Sequence, residues 1–235
     1  MNTDITALKT KSRGISLGML AADLGNLREA AKEAASWRCD ILHFDVMDGE
    51  FVAGMTAGPG FVKALDIGAL RDVHLMIKHP AQHVASYVKA GADIITVHAE
   101  SEGAAEAIKN IRSAASEVGR PVLAGLGIMP GTSLQEINEL LAMKPDMILV
   151  LSLDPRSKNP PDITTACTRL SELRERLGPS GPLLAFDGGV TLDSIAEIAA
   201  CLPDMIVSGS AVLGAKNPKD AFTAMAQAHQ PNTEI

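Results

Sequence analysis

The stretch Ile41-Leu42-His43-Phe44-Asp45-Val46-Met47-Asp48-Gly49 decides the fold. It is an apolar run broken at alternate positions by a histidine and an aspartate, and it ends on a glycine turn. Strand side chains alternate between faces, so His43, Asp45 and Met47 share one face and Phe44 and Val46 the other. Asp72, His74 and Met76 repeat the pattern, with Val73 and Leu75 opposite. Near-continuous apolar runs of this length suit parallel strands covered on both faces. Working outward, similar runs occupy residues 15–20, 73–77, 94–98, 122–128, 147–153, 183–187 and 205–208. Segments of helical period lie between them at 23–37, 80–90, 102–118, 133–142, 163–177, 192–200 and 218–227, with a shorter Gly/Pro-framed piece at 59–65. Four runs follow a residue pair of one type, Cys39-Asp40, Ala92-Asp93, Pro145-Asp146 and Pro203-Asp204. Eight βα units fit without a linker, which predicts a (β/α)8 TIM barrel. The expected domain spans 1–235, with a core over about 15–228 and short polar termini. A doubly wound open sheet is the rival, but no GxGxxG follows the first run.

Length and composition agree with a barrel. A chain of 235 residues is the usual size for one, and 46% apolar residues supply a sizeable core. Aromatics make up 3%, so Val, Ile, Leu, Met and Ala must fill it. A net charge of -7 without Lys/Arg runs argues against nucleic acid and anionic membranes as partners. Cys39, Cys167 and Cys201 are distant in sequence and odd in number, and they show no zinc spacing. Free thiols in a reducing, cytoplasmic compartment are the expectation. The N-terminal eleven residues are polar and lack a signal peptide's apolar stretch.

In a barrel the chemistry lies where strands end. His43, Asp45, His74 and Asp187 all fall on inward positions there. Imidazole and carboxylate together suit one divalent ion of Zn, Fe, Mn or Co better than Mg or Ca. A single inward histidine is more often a hydrogen-bonded core residue, but four such residues shift the balance to a site. The turns Asp187-Gly188-Gly189-Val190 and Ser208-Gly209-Ser210-Ala211 let backbone N–H groups approach an anion after the last two strands. His98 and Glu100 end the fourth run and read as supporting or structural. His79 and His83 read as a solvated face, and His229 as surface. Met19, Met47 and Met76 lie near the rim, where methionine is usually core filler.

These motifs resemble the ribulose-phosphate 3-epimerase family over residues 15–214. The likeness rests on the 43–49 and 72–76 stretches, on 90–98, on Phe186-Asp187-Gly188-Gly189-Val190 and on Ser208-Gly209-Ser210-Ala211. It implies His43, Asp45, His74 and Asp187 as metal ligands, Asp45 and Asp187 as the acid/base pair, and Met47 and Met76 as part of a cap over the reacting carbons. It further implies a barrel of the ribulose-phosphate-binding type, a sugar-phosphate substrate, a place in the pentose phosphate pathway, and a homo-oligomer. The chain departs from the family pattern at Gly18, where a serine is usual, and at Leu151, where a methionine is. It departs most in the loop after strand six. Here Asp154-Pro155-Arg156-Ser157-Lys158-Asn159-Pro160 replaces a glycine-rich segment, which makes Arg156 and Lys158 candidate phosphate partners and Gly18 a source of extra room.

The chemistry implied is 3-epimerisation through a cis-enediolate. D-ribulose 5-phosphate is the first expected substrate, and allulose 6-phosphate or a tetrulose phosphate the alternatives. A Schiff-base aldolase needs a rim lysine, and no run contains one. The related decarboxylases and hexulose-phosphate synthases use an Asp-x-Lys-x-x-Asp pattern, which is absent. A sugar-phosphate-binding barrel without turnover needs no acid/base pair.

Overall fold

A computed structural model of the chain describes residues 2–56 and 58–229. Eight parallel strands close into a barrel in sequence order: β1 (Gly14–Gly18), β2 (Ile41–Met47), β3 (Leu70–Met76), β4 (Ile94–His98), β5 (Leu123–Ile128), β6 (Met147–Leu151), β7 (Leu183–Asp187) and β8 (Met205–Ser208). The helices are α1 (Asn2–Lys11), α2 (Leu27–Ser36), α3 (Pro59–Ala64), α4 (Val84–Lys89), α5 (Ala104–Val118), α6 (Asn138–Ala142), α7 (Ile163–Leu177), α8 (Ile195–Ala200), α9 (Ser210–Leu213) and α10 (Pro218–Ala228). The expected architecture is therefore present, and its elements differ from the sequence expectation mainly at their ends. The first run ends at Gly18 because Met19–Ala21 turns into a 3-10 helix. Helix α2 starts late because the Asp23 carboxylate accepts from the Gly25 N–H and turns the chain first. The 133–142 segment begins with a Ser133–Glu136 capping box and turns, and its regular helix covers only Asn138–Ala142.

Strand alternation sorts the apolar residues into two layers. Ile41, Ile94, Leu123, Met147, Leu183 and Met205 point inward and fill the barrel. Phe44, Val46, Val73, Leu75, Val97 and Phe186 point outward, against the helices. The N-terminus is more than a polar tail. Its helix α1 buries Leu8 and packs Ile5 against the inward cluster, closing the bottom of the barrel. A fully buried leucine contributes roughly 2 kcal/mol.

The recurring aspartates have a structural role. Asp93, Asp146 and Asp204 precede β4, β6 and β8, and each carboxylate accepts from a backbone N–H of the preceding strand, at Arg71, Ala124 and Leu184. Asp204 also pairs with Arg13, and Asp146 with Lys9 at 3.4 Å, which ties α1 and its exit to the bottom rim. These bonds lie at the strand N-termini, where a barrel invests in stability.

Two sequence expectations are corrected. Cys167 on α7 and Cys201 at the end of α8 form a disulfide, leaving Cys39 free and buried. Thirty-four residues separate the pair in sequence, but neighbouring helices on the barrel exterior bring them together. The cysteines therefore no longer argue for a reducing compartment. Among the described residues no helix is long and apolar enough to cross a membrane. His229 is not a surface residue: it is buried, and its Nε2 lies 2.8 Å from the Pro203 carbonyl, fastening the end of α10 beneath β8.

That burial generates a prediction. Desolvation pushes the His229 imidazole below its ordinary pKa of 6.5. The unfolded chain takes up a proton at His229 below that value while the folded chain resists it. The stability contributed by the neutral ring is thus present above 6.5 and lost as pH falls. Between about pH 7.5 and about pH 5.5, wild type should lose more Tm than His229→Gln. Equal losses in the two proteins would assign the pH dependence to other groups.

Candidate active site

Strands β2 and β3 pair in register over seven residues, with His43 opposite Asp72, Asp45 opposite His74 and Met47 opposite Met76. Because both strands run parallel and alternate in step, these side chains enter the barrel in layers. Asp187 arrives at the end of β7 from across the mouth. One ligand-type atom from each of His43, Asp45, His74 and Asp187 lies within 4.8 Å of the others. His43 Nε2 is 3.3 Å from Asp45 Oδ1, and His74 Nδ1 is 3.2 Å from Asp45 Oδ1 and 3.5 Å from Asp187 Oδ2. Both imidazoles are fully buried, whereas the two carboxylates keep about a fifth of their side-chain surface open to the mouth, 23% and 18%.

Polar side chains in a barrel interior are stable only with partners. Asp72 supplies one: its Oδ2 lies 2.7 Å from His43 Nδ1 and accepts from the Ser16 hydroxyl at 2.9 Å. His43 Nδ1–H therefore donates outward and Nε2 is left facing the cluster. Sequence reasoning placed Asp72 on the right face without giving it this role, and passed over Ser16. The only signal in the sequence is that Asp72 shares the inward face of β3; its partner His43 is set by the β2–β3 register. On the other side His74 Nε2 lies 2.7 Å from His98 Nε2, and His98 Nδ1 lies 3.1 Å from Glu100 Oε2.

The electrostatics divide the groups. Burial alone would lower His43, but the Asp72 and Asp45 carboxylates outweigh it and raise its pKa well above the ordinary value. Burial would raise Asp45, but His43 and His74 hold it far below the usual carboxylate range. Asp187 is raised, by burial first and by the nearby Asp45 charge, against the pull of His43 and His74. His98 is pushed down to about 4, chiefly by burial. Burial would lift Glu100, yet hydrogen bonds from His98, Thr132 and Met129 bring it down to about 2. Two neighbouring carboxylates driven in opposite directions are what an acid/base pair requires.

The cluster suits a divalent cation. Each buried imidazole has its outer nitrogen engaged, so an inner nitrogen is free of the surrounding barrel wall. The two carboxylates bring negative charge, and a mixed N/O set fits Zn, Fe, Mn or Co.

A cavity of about 420 Å³ opens beside it, lined in part by Asp45, Asp187, Gly188, Gly189, Gly209 and Ser210. The glycines are sterically required. Gly188 and Gly189 have φ of 96° and 64°. A Cβ on Gly188 would meet Ser152 Oγ at 2.8 Å, and one on Gly189 would strike Pro161. At Gly209 a Cβ would sit 3.0 Å from the Gly18 carbonyl. Gly18 itself does not add room on this side, because its missing Cβ lets the β1 end approach Gly209 Cα, which would lie 3.1 Å from that Cβ. Met47 and Met76 pack on the inward cluster with Leu151, and Met19 is buried core in the outer layer. Arg156 and Lys158 do not line this cavity. The Arg156 guanidinium grips Asp154 in a two-point contact, Nε to Oδ1 at 2.9 Å and Nη2 to Oδ2 at 2.8 Å, and lies over the Phe51 ring at 5.6 Å. Lys158 is exposed. His79 is partly exposed beside Glu102, away from the cluster.

Comparison with known proteins converges on one family. The model of the ribulose-phosphate 3 epimerase family matches residues 14–213. The ribulose-phosphate 3-epimerase of Escherichia coli K12 is 36% identical over 216 residues, covering 90% of this chain and 93% of that protein. The chloroplastic ribulose-5-phosphate-3-epimerase of Arabidopsis thaliana is 34% identical over 223 residues, covering 92% and 77%. Among solved structures, the 3-hexulose-6-phosphate synthase of Salmonella typhimurium superposes with a TM-score of 0.68 at 19% identity, covering 92% of this chain and 97% of that one, a likeness of fold alone. With a barrel whose strand ends gather two histidines and two aspartates beside paired glycine turns, and with relatives of this identity over most of its length, the chain belongs to the ribulose-phosphate 3-epimerase family and is an epimerase-type isomerase.

Proposed function

We propose that this chain inverts C3 of a ketose phosphate. In this reading Asp45 and Asp187 exchange the protons, and His43, Asp45, His74 and Asp187 hold one divalent cation. The observation that carries the reading is geometric: Asp45 and Asp187 come from β2 and β7, meet His43 and His74 in one cluster, and open on a cavity rimmed by glycine turns. When bound, the cation supplies Lewis acidity toward negative charge developing on the substrate's oxygens. The proton on C3 of a 2-ketose is acidified by the adjacent carbonyl. Asp45, held ionised, removes it from one face; Asp187, inclined to hold a proton, returns one to the opposite face of the planar enediolate. In the reverse direction the two exchange roles. The buried imidazoles and the Asp72–Ser16 pair keep the carboxylates oriented without taking part in proton transfer.

The phosphate is assigned to the backbone of Gly188, Gly189, Gly209 and Ser210, where no side chain intervenes. Met47 and Met76 would present a soft apolar surface to the reacting carbons. D-ribulose 5-phosphate is the first substrate to try, supported by the family. The loop 154–160 favours a second reading, in which another ketose phosphate is preferred: Arg156 is a fixed, bulky cation where the family pattern has glycine. A homo-oligomer of single-domain, cytoplasmic chains belongs to the same proposal.

Four outcomes follow. Asp45→Asn and Asp187→Asn should each lower turnover by about 10²–10⁴-fold while C3–H exchange into D₂O, followed by NMR, fades with it. Chelation should abolish wild-type activity and Co²⁺ should restore it; near-normal turnover in both variants, or full activity in chelator with no metal by elemental analysis, contradicts the scheme. Gly209→Val should raise KM strongly, since the new side chain meets the Gly18 carbonyl and fills the anion site; unchanged kinetics would move the phosphate elsewhere. Finally, replacing Arg156 and Lys158 by alanine should shift the ratio of kcat/KM among four-, five- and six-carbon ketose phosphates. A pentulose preference that survives the double substitution would make the loop irrelevant to specificity.

A further inference from the structure

We infer that Glu100 and His98 are positioning residues that set the ring tautomer of His74, so that its Nδ1 keeps the lone pair a cation needs. The inference rests on the reading of the His43, Asp45, His74 and Asp187 cluster as a cation site. Its starting point is the contact of two imidazoles, His74 Nε2 to His98 Nε2 at 2.7 Å. Two ring nitrogens at that separation share one proton, and one ring must donate while the other accepts. The ring contact alone does not say which.

A carboxylate stands at each end of the chain, Asp45 beside His74 and Glu100 beside His98, and Glu100 is the end anchored by further donors. Glu100 Oε1 accepts from the Met129 N–H at 2.9 Å and from the Thr132 hydroxyl. Its Oε2 faces His98 Nδ1 at 3.1 Å. A carboxylate is an acceptor only, so His98 Nδ1–H is the donor. A neutral His98 then accepts at Nε2, and the shared proton is the Nε2–H of His74. The other nitrogen of that ring, Nδ1, faces Asp45 Oδ1 at 3.2 Å and Asp187 Oδ2 at 3.5 Å; Asp45 would draw the proton to Nδ1, and the Glu100–His98 pair competes with it by holding that proton on Nε2. The tautomer of an imidazole is set by the hydrogen bond its other nitrogen makes. Here that instruction starts on the β5 side of the barrel and passes through two bonds. His98 is fully buried, with the Phe51 ring 5.1 Å away, which keeps water from interrupting the chain. His43 is fixed by a shorter version, one direct bond to Asp72.

The chain makes an isosteric amide a sharp probe. In Glu100→Gln the amide oxygen must occupy the Oε1 position, because two donors converge there. The amide nitrogen then donates to His98 Nδ1. His98 switches to the Nε2–H tautomer and donates to His74 Nε2, which leaves the His74 proton on Nδ1, where it blocks the cation. The substitution changes no volume, and its effect travels across two rings.

The test is calorimetric titration of Co²⁺ into the metal-free full-length protein, with long-range ¹H–¹⁵N NMR of the histidine rings. In wild type, His74 should be the Nε2–H tautomer and His98 the Nδ1–H tautomer. In Glu100→Gln both should reverse, and Co²⁺ affinity should fall about 10–100-fold with the circular dichroism unchanged. Wild-type rings in the opposite tautomers would overturn the inference even if the variant fails to fold. So would Co²⁺ binding by a folded, tautomer-reversed variant as tight as wild type's. Wild-type protein that binds no Co²⁺ would instead overturn the cation-site reading, and this inference with it.

Discussion

The in-register pairing of β2 with β3 is the constraint on which the site depends. It sets His43 against Asp72 and Asp45 against His74, so each buried charge or dipole meets a complement in the adjacent strand. An uncompensated buried carboxylate costs several kcal/mol. A slip of β3 by one residue would turn Asp72 and His74 into the apolar outer layer and bring Val73 and Leu75 inside. The polar site is therefore also a register pin. The same residues that carry chemistry exclude the competing alignment of these two strands.

The barrel separates its tasks along its axis. At the bottom, α1 closes the interior with Leu8, and Asp93, Asp146 and Asp204 bind the strand N-termini to their neighbours. At the top, the carboxylates and glycine turns face the cavity with few covering side chains. Rigidity below lets the top carry glycines in left-handed conformations and a cluster of mutually perturbed ionisable groups. The loop 154–160 belongs to the top but is held by its own Arg156–Asp154 pair, so it is a structured wall rather than a loose fringe.

Much of the site was legible before any coordinates. Period-two alternation put His43, Asp45, His74 and Asp187 on one surface, and the order of the runs put that surface at one end of a barrel. The likeness to a family added roles for them. The supporting groups were less visible. Asp72 lay on the right face, but its bond to His43 depends on register between strands. His98 and Glu100 read as supporting or structural in sequence, because nothing within β4 shows that His98 meets a ring from β3 or that Glu100 gathers donors from the chain beyond β5.

What the sequence by itself determined are the features carried by neighbouring residues: strand alternation, helical period, and glycine turns after the last two strands. These are local, and backbone geometry converts them directly into faces and turns. What only the tertiary structure decided are contacts between residues far apart in the chain. The Cys167–Cys201 disulfide, the burial of His229 against Pro203, the docking of α1 and the close approach of Gly18 to Gly209 all arise when helices pack around a closed sheet. Closure brings β1 beside β8 and fixes which side chains meet across the interior. No periodicity within one segment encodes that, because the partner in each case is supplied by another part of the barrel.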